Sequence, residues 1–212
     1  LSGNRKVSCA SCHHPRFGTS DGLSLGLGDG ATGLGPERKI DPNNVPEERV
    51  ARNAPALFNL GAVQFQHLFH DGRLEADSSR PSGIRTPLDD DMVVGFESAL
   101  AAQAMFPVLS PDEMAGHYSE NEIAQAVRQG FLTGDDGAWE LISARVSAIP
   151  EYRSRFDEVI GTEKAIRLTD IANAIASFVA FEWLADGSPF DTYLLAGTPL
   201  KPIANAGMQL FY

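Results

Sequence analysis

Residues 9–13 read Cys9-Ala10-Ser11-Cys12-His13 and contain both cysteines of this 212-residue chain. Two thiols separated by two residues and followed at once by a histidine can bond the two vinyl groups of a haem while the imidazole reaches the iron. The motif therefore predicts covalently bound haem c, attached through Cys9 and Cys12 and ligated by His13. Attachment of this kind takes place outside the cytoplasm, so the motif also predicts a bacterial periplasm.

Two other interpretations of this motif stay open. A thioredoxin-like redox pair is expected beside a βαβ pattern, which this sequence lacks. A structural zinc site needs four ligands, so His13 and His14 would have to join the two thiolates. Adjacent histidines close a tetrahedron awkwardly. Haem attachment is therefore favoured, and His14 is expected to be a bystander.

The composition narrows the class of partner. The chain has 17 basic and 28 acidic residues, a formal net charge of −11 that would repel a nucleic-acid backbone and attract a basic protein. It has no apolar run of about 18 residues, so we predict no membrane span. Two cysteines are also too few for the disulfide scaffold of a small secreted domain.

Two long segments are predicted to be loops. Residues 17–46 are rich in Gly, Pro, Asp and Asn, which favour turns and positive φ. A loop of this length is uncommon in a compact domain unless it surrounds something, such as a large flat cofactor. Residues 73–91 are polar and acidic, and we expect them to lie on the surface.

Most of the remaining chain predicts helices. Ser119 and Glu122 form a capping-box pattern before a helix over 123–131. Shorter helices are predicted over 138–149 and 152–160, separated by a proline. In the segment that begins at position 169, apolar residues recur at helical spacing and predict one buried face, formed by Ile171, Ala174, Ile175, Phe178 and Val179.

No convincing period-two strand pattern is present. We therefore predict an all-α fold, with a domain boundary at Gly187-Ser188-Pro189.

Short motifs then follow one another along the chain. They are Arg52-Asn53-Ala54-Pro55 with Leu57-Phe58-Asn59, Phe69-His70-Asp71-Gly72-Arg73, Gln103-Ala104, Pro107-Val108-Leu109 and Glu113-Met114. In this order, after the cysteine–histidine motif, they resemble the bacterial di-haem cytochrome c peroxidases and the related di-haem oxidases of the MauG type. Residues 188–197 resemble the family's crossover into its second haem domain.

The resemblance implies two cytochrome c-like domains. Residues 1–187 would form the first haem domain with its long wrapping loops, and 188–212 would begin the second. In the family a second C-x-x-C-H follows a segment like residues 208–211. The chain also starts at Leu1 within the segment that leads into the first haem. We therefore expect it to be part of a longer protein that carries two haems.

The resemblance also assigns roles at the first haem. His13 would be the proximal ligand of the peroxide-binding iron, and Gln103, Glu113 and Met114 would lie on its opposite, distal side. Peroxide cleavage requires a proton to move from one oxygen to the other, which a buried carboxylate with a raised pKa can carry. An amide can orient peroxide without removing that proton. The alternative is that Gln103 and Glu113 are ordinary surface residues.

Two positions depart from the family pattern. Its peroxidases usually have a histidine in the Gly-rich loop that ligates the resting iron, whereas residues 24–30 contain none. We therefore expect an open or water-ligated iron, as in the MauG-like branch. His70 stands where the family has a tryptophan that relays electrons between the haems, so His70 is expected to be the relay, by a slower or different route. The alternatives are a structural histidine and a pH-sensitive ligand. Other formal candidates for a sixth ligand, with core packing the alternative for each methionine, are Met92, Met105, Met114, His67 and His117.

Three further roles are predicted, and the third rests on charge alone. Arg52 and Arg73 would neutralise haem propionates, although surface salt bridges would explain them as well. Asn53 corresponds to a residue that helps to hold a calcium ion at the domain interface. The acidic run 89–91, in an insertion over 74–94, is either a solvated loop or a docking site for a basic electron donor.

These expectations combine into one function. The chain is predicted to belong to a periplasmic di-haem oxidoreductase that reduces hydrogen peroxide to water, or uses it to oxidise a partner. Electrons would arrive through the second haem from a small basic donor such as a cytochrome c or a cupredoxin, and a homodimer is also allowed. The alternative is an electron-transfer cytochrome with a six-coordinate haem and no peroxidase activity.

Overall fold

A computed structural model describes residues 1–117 and 120–212 of the chain. Helices are its main regular elements. Those of the described residues are α1 Cys9–Cys12, α2 Ala99–Gln103, α3 Glu122–Arg128, α4 Ala138–Ser147, α5 Pro150–Ile160, α6 Leu168–Glu182, α7 Pro189–Ala196 and α8 Pro202–Phe211. None of these helices has the length and apolar character needed to cross a membrane.

Short strands form two small antiparallel sheets, so the expectation of a purely all-α fold is wrong. Their bounds are β1 Ala31–Thr32, β2 Lys39–Ile40, β3 His67–Leu68, β4 Leu74–Ala76 and β5 Ile84–Arg85. β1 pairs with β2, while β4 lies between β3 and β5 and sets Glu75 opposite both His67 and Arg85. Strands of two or three residues are too short to show an alternating pattern in the sequence.

The two predicted loops differ in outcome. Residues 17–46 are irregular for most of their length, as predicted. Their regular elements are β1, β2, a 3₁₀ turn at Gly35–Glu37 and, at residue 17, the end of a 3₁₀ turn that begins at residue 15. Residues 73–91 are not simply a polar surface loop, because they include β4 and β5. Leu74 is fully buried and Ile84 is 5% exposed. These two apolar side chains fix the β-hairpin to the core.

Helix ends differ from the predictions for local reasons. α3 begins after Asn121, whose side chain accepts a hydrogen bond from the amide of Ala124 at 2.9 Å. The predicted cap, Ser119, lies outside the described residues. The two predicted helices are separate, but the break lies at residues 148–149 and not at the proline itself. Pro150 is the first residue of α5, where its missing N–H costs nothing because that position has no intrahelical acceptor.

The buried face of α6 is rotated from the predicted one. Ile171 and Val179 are buried, but Ala174 and Phe178 are exposed. Ala172 and Ala176 are buried in their place. α6 packs against the short α2, whose own buried face is largely alanine, and small side chains on both sides allow the two helices to approach closely. Periodicity finds the apolar positions but not this preference for small ones.

The core lies between α2, α4 and α6. Met105 and Ile142 are fully buried in it, and the rings of Phe96 and Trp139 meet edge to face at 6.0 Å. Helices α7 and α8 contain no buried residues. Ser188 caps α7 by accepting from the amide of Asp191 at 3.1 Å. The division into two domains at residue 188 stays a prediction.

Candidate haem site

The cysteine–histidine motif forms a single helical turn. The amide of His13 donates to the carbonyl of Cys9 at 2.8 Å, which closes the turn. Cys9 is exposed and Cys12 is half-buried, and both thiols are free. Burial raises the pKa of the Cys12 thiol, and the charge of Arg38 opposes the rise. Two thiols and an imidazole on one turn are the donor set that covalent haem attachment requires, so the residues present fit a haem c.

His13 is oriented by the segment that follows it. Its Nδ1 lies 3.0 Å from the carbonyl oxygen of Thr19, which is fully buried and has a φ of 59°. A carbonyl only accepts, so Nδ1 carries the ring proton and Nε2 keeps its lone pair. The hydroxyl of Thr19 also accepts from the amide of Leu57 at 2.7 Å. The imidazole is therefore held in the tautomer that binds a metal through Nε2.

His14 has a different environment. Its Nδ1 accepts a hydrogen bond from the amide of Arg16 at 3.2 Å and thereby caps the 3₁₀ turn Pro15–Phe17. Its ring lies 5.7 Å from that of Phe17. This local role supports the interpretation of His14 as a bystander.

Residues 111–115 form a π-helical turn, here called the distal turn. The carbonyl of Ser110 accepts from the amides of Glu113, Met114 and Ala115 at 3.2, 3.0 and 2.9 Å. Gly116 then ends the turn with a φ of 84°. π-Helical turns are rare in proteins, and those that occur often lie at functional sites. The geometry leaves Glu113 half-buried and Met114 buried.

The carboxyl of Glu113 has an altered acidity. Burial raises its pKa, while the Ser110 side chain and the charge of His13 act in the opposite direction. The Gly-rich loop contacts Cys12 Sγ at 3.8 Å through one carbonyl and donates an amide hydrogen bond to the carbonyl of Glu113 at 2.9 Å, so it brings this residue close to the cysteine–histidine motif. A carboxyl with a raised pKa can hold a proton and release it under mild conditions. This is the acid–base property expected of Glu113.

Gln103 is the last residue of α2 and is half-buried. Its carbonyl accepts from the amide of Phe106 at 3.1 Å, which leads into the 3₁₀ turn Pro107–Leu109. That turn packs against the distal turn. The chain therefore places Gln103 and Glu113 at the two ends of one compact connection.

Several formal candidates for a sixth ligand have other surroundings. Met105 is fully buried and Met92 packs against the core. His67 Nε2 lies 2.8 Å from Glu75 Oε1, and His117 Nε2 accepts from the amide of Glu47 at 3.4 Å. Met114 is buried and His70 is exposed, and the roles predicted for them from the sequence stay predictions.

The two predicted propionate partners are exposed. Arg52 contributes its carbonyl to a hydrogen bond with the amide of Gly26 at 3.3 Å. The guanidinium of Arg73 donates to Asp71 Oδ1 at 2.9 Å and lies 5.1 Å from the ring centre of Phe69. This hydrogen bond lowers the pKa of Asp71. Their contact with a propionate stays a prediction.

Asn53 fastens residues 17–46, here called the wrapping loop. Its Nδ2 donates to Asp21 Oδ1 at 2.8 Å and to the carbonyl of Leu23 at 2.7 Å, and its Oδ1 accepts from Ser20 at 3.0 Å. Asp21 is fully buried, and its Oδ2 has no hydrogen bond within the described part of the chain. In the same part, no group of three or more His, Cys, Asp or Glu side chains is arranged to hold a metal ion. A calcium role for Asn53 stays a prediction.

Sequence reasoning missed the residues that support the distal turn. The amide of Asp29 donates to the carbonyl of Glu113 at 2.9 Å. A Cβ at Gly28 would overlap the carbonyl of Asp112 and lie 2.5 Å from Glu113 Cα, so only glycine permits this approach. The glycines of the loop were visible in the sequence, but the segment against which they pack was not.

The chain as a whole is similar to known proteins. A family model described as "Di-haem cytochrome c peroxidase" matches residues 1–198. The "Methylamine utilization protein MauG" of Methylorubrum extorquens is 28% identical over 214 residues, which cover 100% of this chain and 42% of that protein. The "Cytochrome c551 peroxidase" of Nitrosomonas europaea is 27% identical over 194 residues, covering 92% and 39%.

A further relative is the "Cytochrome-c peroxidase IdrP2" of Denitromonas iodatirespirans. It is 32% identical over 157 residues, which cover 65% of this chain and 37% of the relative. The chain thus spans about two fifths of the length of these curated relatives.

Proposed function

This chain belongs to the di-haem cytochrome c peroxidase family, and from that premise we propose that it forms the peroxide-binding haem domain of a periplasmic di-haem oxidoreductase. The proposed reaction is the reduction of hydrogen peroxide to water, or its use to oxidise a partner. The second haem would lie in a part of the protein outside this chain. The proposal includes both reactions because the relatives comprise two proteins named as peroxidases and one named as MauG.

One observation carries the proposal. The Nε2 lone pair of His13 is left free by the hydrogen bond to Thr19, and the Gly-rich loop, which contacts Cys12 Sγ, also holds the half-buried Glu113 by a backbone hydrogen bond. A metal-binding imidazole and a carboxyl of raised pKa in one site are what peroxide cleavage needs from a protein.

The haem c, when bound through Cys9 and Cys12, would supply the metal centre that binds peroxide and takes up electrons. His13 would hold the iron from the proximal side. Reduction of one hydrogen peroxide to two waters consumes two electrons and two protons. Glu113 would take a proton from one peroxide oxygen and return it to the other, so that water can leave. Gln103 would orient the peroxide through its amide, which does not compete for that proton.

The Gly-rich loop supports an open iron. Residues 24–30 contain no histidine, and the carbonyls of Leu27 and Gly28 accept hydrogen bonds from the guanidinium of Arg38, with Gly28 at 2.8 Å. Arg38 is itself 6% exposed. Because this buried arginine fixes the loop backbone, we propose that the loop supplies no ligand and that the iron needs no activation by ligand loss.

The charge of the chain supports a basic electron donor. The net charge is −11, and Asp89 and Asp91 are exposed on a 3₁₀ turn. Such a surface attracts a small basic protein at a distance and speeds its encounter. A cytochrome c or a cupredoxin of positive charge would fit, and the electrons would pass by way of the second haem and the region of His70.

The test uses the full-length, haem-loaded protein. We expect the oxidised or half-reduced protein to change its optical spectrum rapidly with hydrogen peroxide. Glu113→Gln should slow that reaction by between about a hundredfold and ten-thousandfold with haem attachment intact, because a general acid–base is lost. Glu140→Gln, on the exposed face of α4, is the matched control. An unreactive, purely low-spin and six-coordinate first haem would instead identify an electron-transfer cytochrome.

A further inference from the structure

Two backbone hydrogen bonds hold the distal turn from outside. The carbonyl of Glu113 accepts from the amide of Asp29 at 2.9 Å, and the carbonyl of Met114 accepts from the amide of Gly3 at 2.8 Å. These donors come from the Gly-rich loop and from the segment that precedes the cysteine motif. The position of Glu113 therefore depends on how well these two segments are fixed to each other.

The side chain of Asn4 joins them. Its Nδ2 donates to Asp29 Oδ2 at 2.8 Å and to Glu120 Oε2 at 2.6 Å. Its Oδ1 accepts from Asn121 Nδ2 at 3.0 Å, and the same Nδ2 donates to the carbonyl of Ala115 at 3.0 Å. The side-chain amide of Asn4 thus connects the first segment of the chain both with the Gly-rich loop and with the residues that follow the distal turn.

The charges explain why an amide is needed. Asp29 is fully buried, and its other donor is Asn44 Nδ2 at 3.3 Å. Glu120 Oε2 also accepts from the amide of His117 at 3.0 Å. Without the N–H groups of Asn4, two carboxylates would face each other, one of them in the interior, where repulsion is poorly screened. A carboxylate at position 4 would add a third negative charge.

The surrounding backbone leaves little room for adjustment. A Cβ at Gly116, the residue that ends the distal turn, would lie 2.8 Å from Asn4 Nδ2. A Cβ at Gly3 would overlap the carbonyl of Ala115. Because main chain and amide are in close contact here, a shift of Asn4 is transmitted to the distal turn.

We propose that Asn4 is a positioning residue for Glu113. It fixes the Gly-rich loop and the first segment of the chain on the two carbonyls of the distal turn, and so holds the Glu113 carboxyl at the peroxide. This inference rests on the proposed acid–base function of Glu113, but the link from Asn4 to the turn can be measured without activity.

The test compares Asn4→Asp with the full-length, haem-loaded parent. We expect hydrogen exchange of the amides in 110–116 to become faster by about tenfold or more, since they all lie on the loosened turn. The rate of the peroxide reaction should fall by between about tenfold and a hundredfold, the scale of a small misplacement. Asn43→Asp makes the same change of charge at an exposed position of the wrapping loop, and it should change neither quantity.

A second substitution distinguishes positioning from general damage. Adding Glu120→Gln to Asn4→Asp supplies an amide donor opposite the new carboxylate, and it should recover part of both the exchange protection and the rate. Unchanged exchange in 110–116, or equal loosening throughout the protein without recovery, would overturn the proposal. If Asn4→Asp does not fold, Asn4→Ala removes the same hydrogen bonds without adding a charge.

The experiment distinguishes a failure of the proposed function from a failure of the Asn4 proposal. If exchange changes as expected but the parent does not react with peroxide, the proposed function is wrong and the link between Asn4 and the distal turn stands. If the parent reacts and exchange does not change, Asn4 does not position the turn.

Discussion

The Nδ1 atom of His13 lies 3.0 Å from the carbonyl oxygen of Thr19. This hydrogen bond decides the tautomer of the imidazole and leaves the Nε2 lone pair free to bind a metal. It also separates His13 from its neighbour His14, whose Nδ1 is occupied by the amide of Arg16. The two adjacent histidines therefore have different surroundings, which agree with the motif-based prediction of His13 as the ligand and His14 as a bystander.

Removal of the His13 side chain should empty one coordination position without detaching the haem. In His13→Gly the two cysteines remain, so covalent attachment should persist and the optical spectrum should change. Added imidazole should restore a spectrum close to that of the parent. His14→Gly is the matched control and should leave the spectrum unaltered, because this ring caps a turn. Equal spectral changes in the two variants would contradict the assignment.

The pH dependence of unfolding should report on Glu113. Burial raises the pKa of this carboxyl in the folded protein, so the native state binds the proton more tightly than the unfolded chain does. This contribution to stability is fully present below the ordinary glutamate pKa and is lost as pH rises through the raised one.

Glu113→Gln should therefore make the free energy of unfolding depend less on pH within that window. Denaturant titrations at a series of pH values would measure the difference, with Glu140→Gln as the control at an exposed site. A variant whose pH dependence matches the parent across the window would show that burial does not perturb this carboxyl.

Arg38 should be a major determinant of loop stability. Its guanidinium donates to the carbonyls of Leu27, Gly28 and Gly33, with Gly33 at 3.0 Å. Arg38→Met should lower the free energy of unfolding by about 2–4 kcal/mol, since several buried acceptors lose a charged donor.

Arg38→Lys should recover only part of that stability, because one ammonium cannot reach carbonyls that a planar fork serves together. Arg155→Met removes an exposed ion pair with Glu151 on α5 and should cost no more than about 0.5 kcal/mol. Urea denaturation would measure both. Similar losses in the two methionine variants would mean that burial of Arg38 adds nothing.

Calcium removal provides a test of Asn53. If this residue holds calcium in the full-length protein, a chelator should lower the melting temperature of the parent and have little further effect on Asn53→Ala. If Asn53 only fastens the loop through Asp21 and Leu23, the substitution should destabilise by about 1–3 kcal/mol while the chelator changes neither protein. Calorimetry with and without chelator distinguishes the two results.

Sequence patterns predicted a helix correctly where neighbouring residues determine it. The helix predicted over 138–149 is found as α4, because its apolar spacing and its ends are encoded within a few residues. The prediction for α6 identified the helix and misplaced its buried face. Ala172 and Ala176 are buried, and Phe178 is 57% exposed, because close packing against α2 favours small side chains. The strands were missed because each is only two or three residues long.

The sequence by itself determined the family and the donor set, since two thiols and an imidazole within five residues need no tertiary structure to be brought together. It also supplied Gln103 and Glu113 as candidates through the order of short motifs. Only the tertiary structure decided what surrounds them. Asn4, Asp29 and Glu113 are far apart in sequence and meet because glycine backbones allow three segments to pack together. Hydrogen bonds between distant segments leave no periodic or local signal in one sequence.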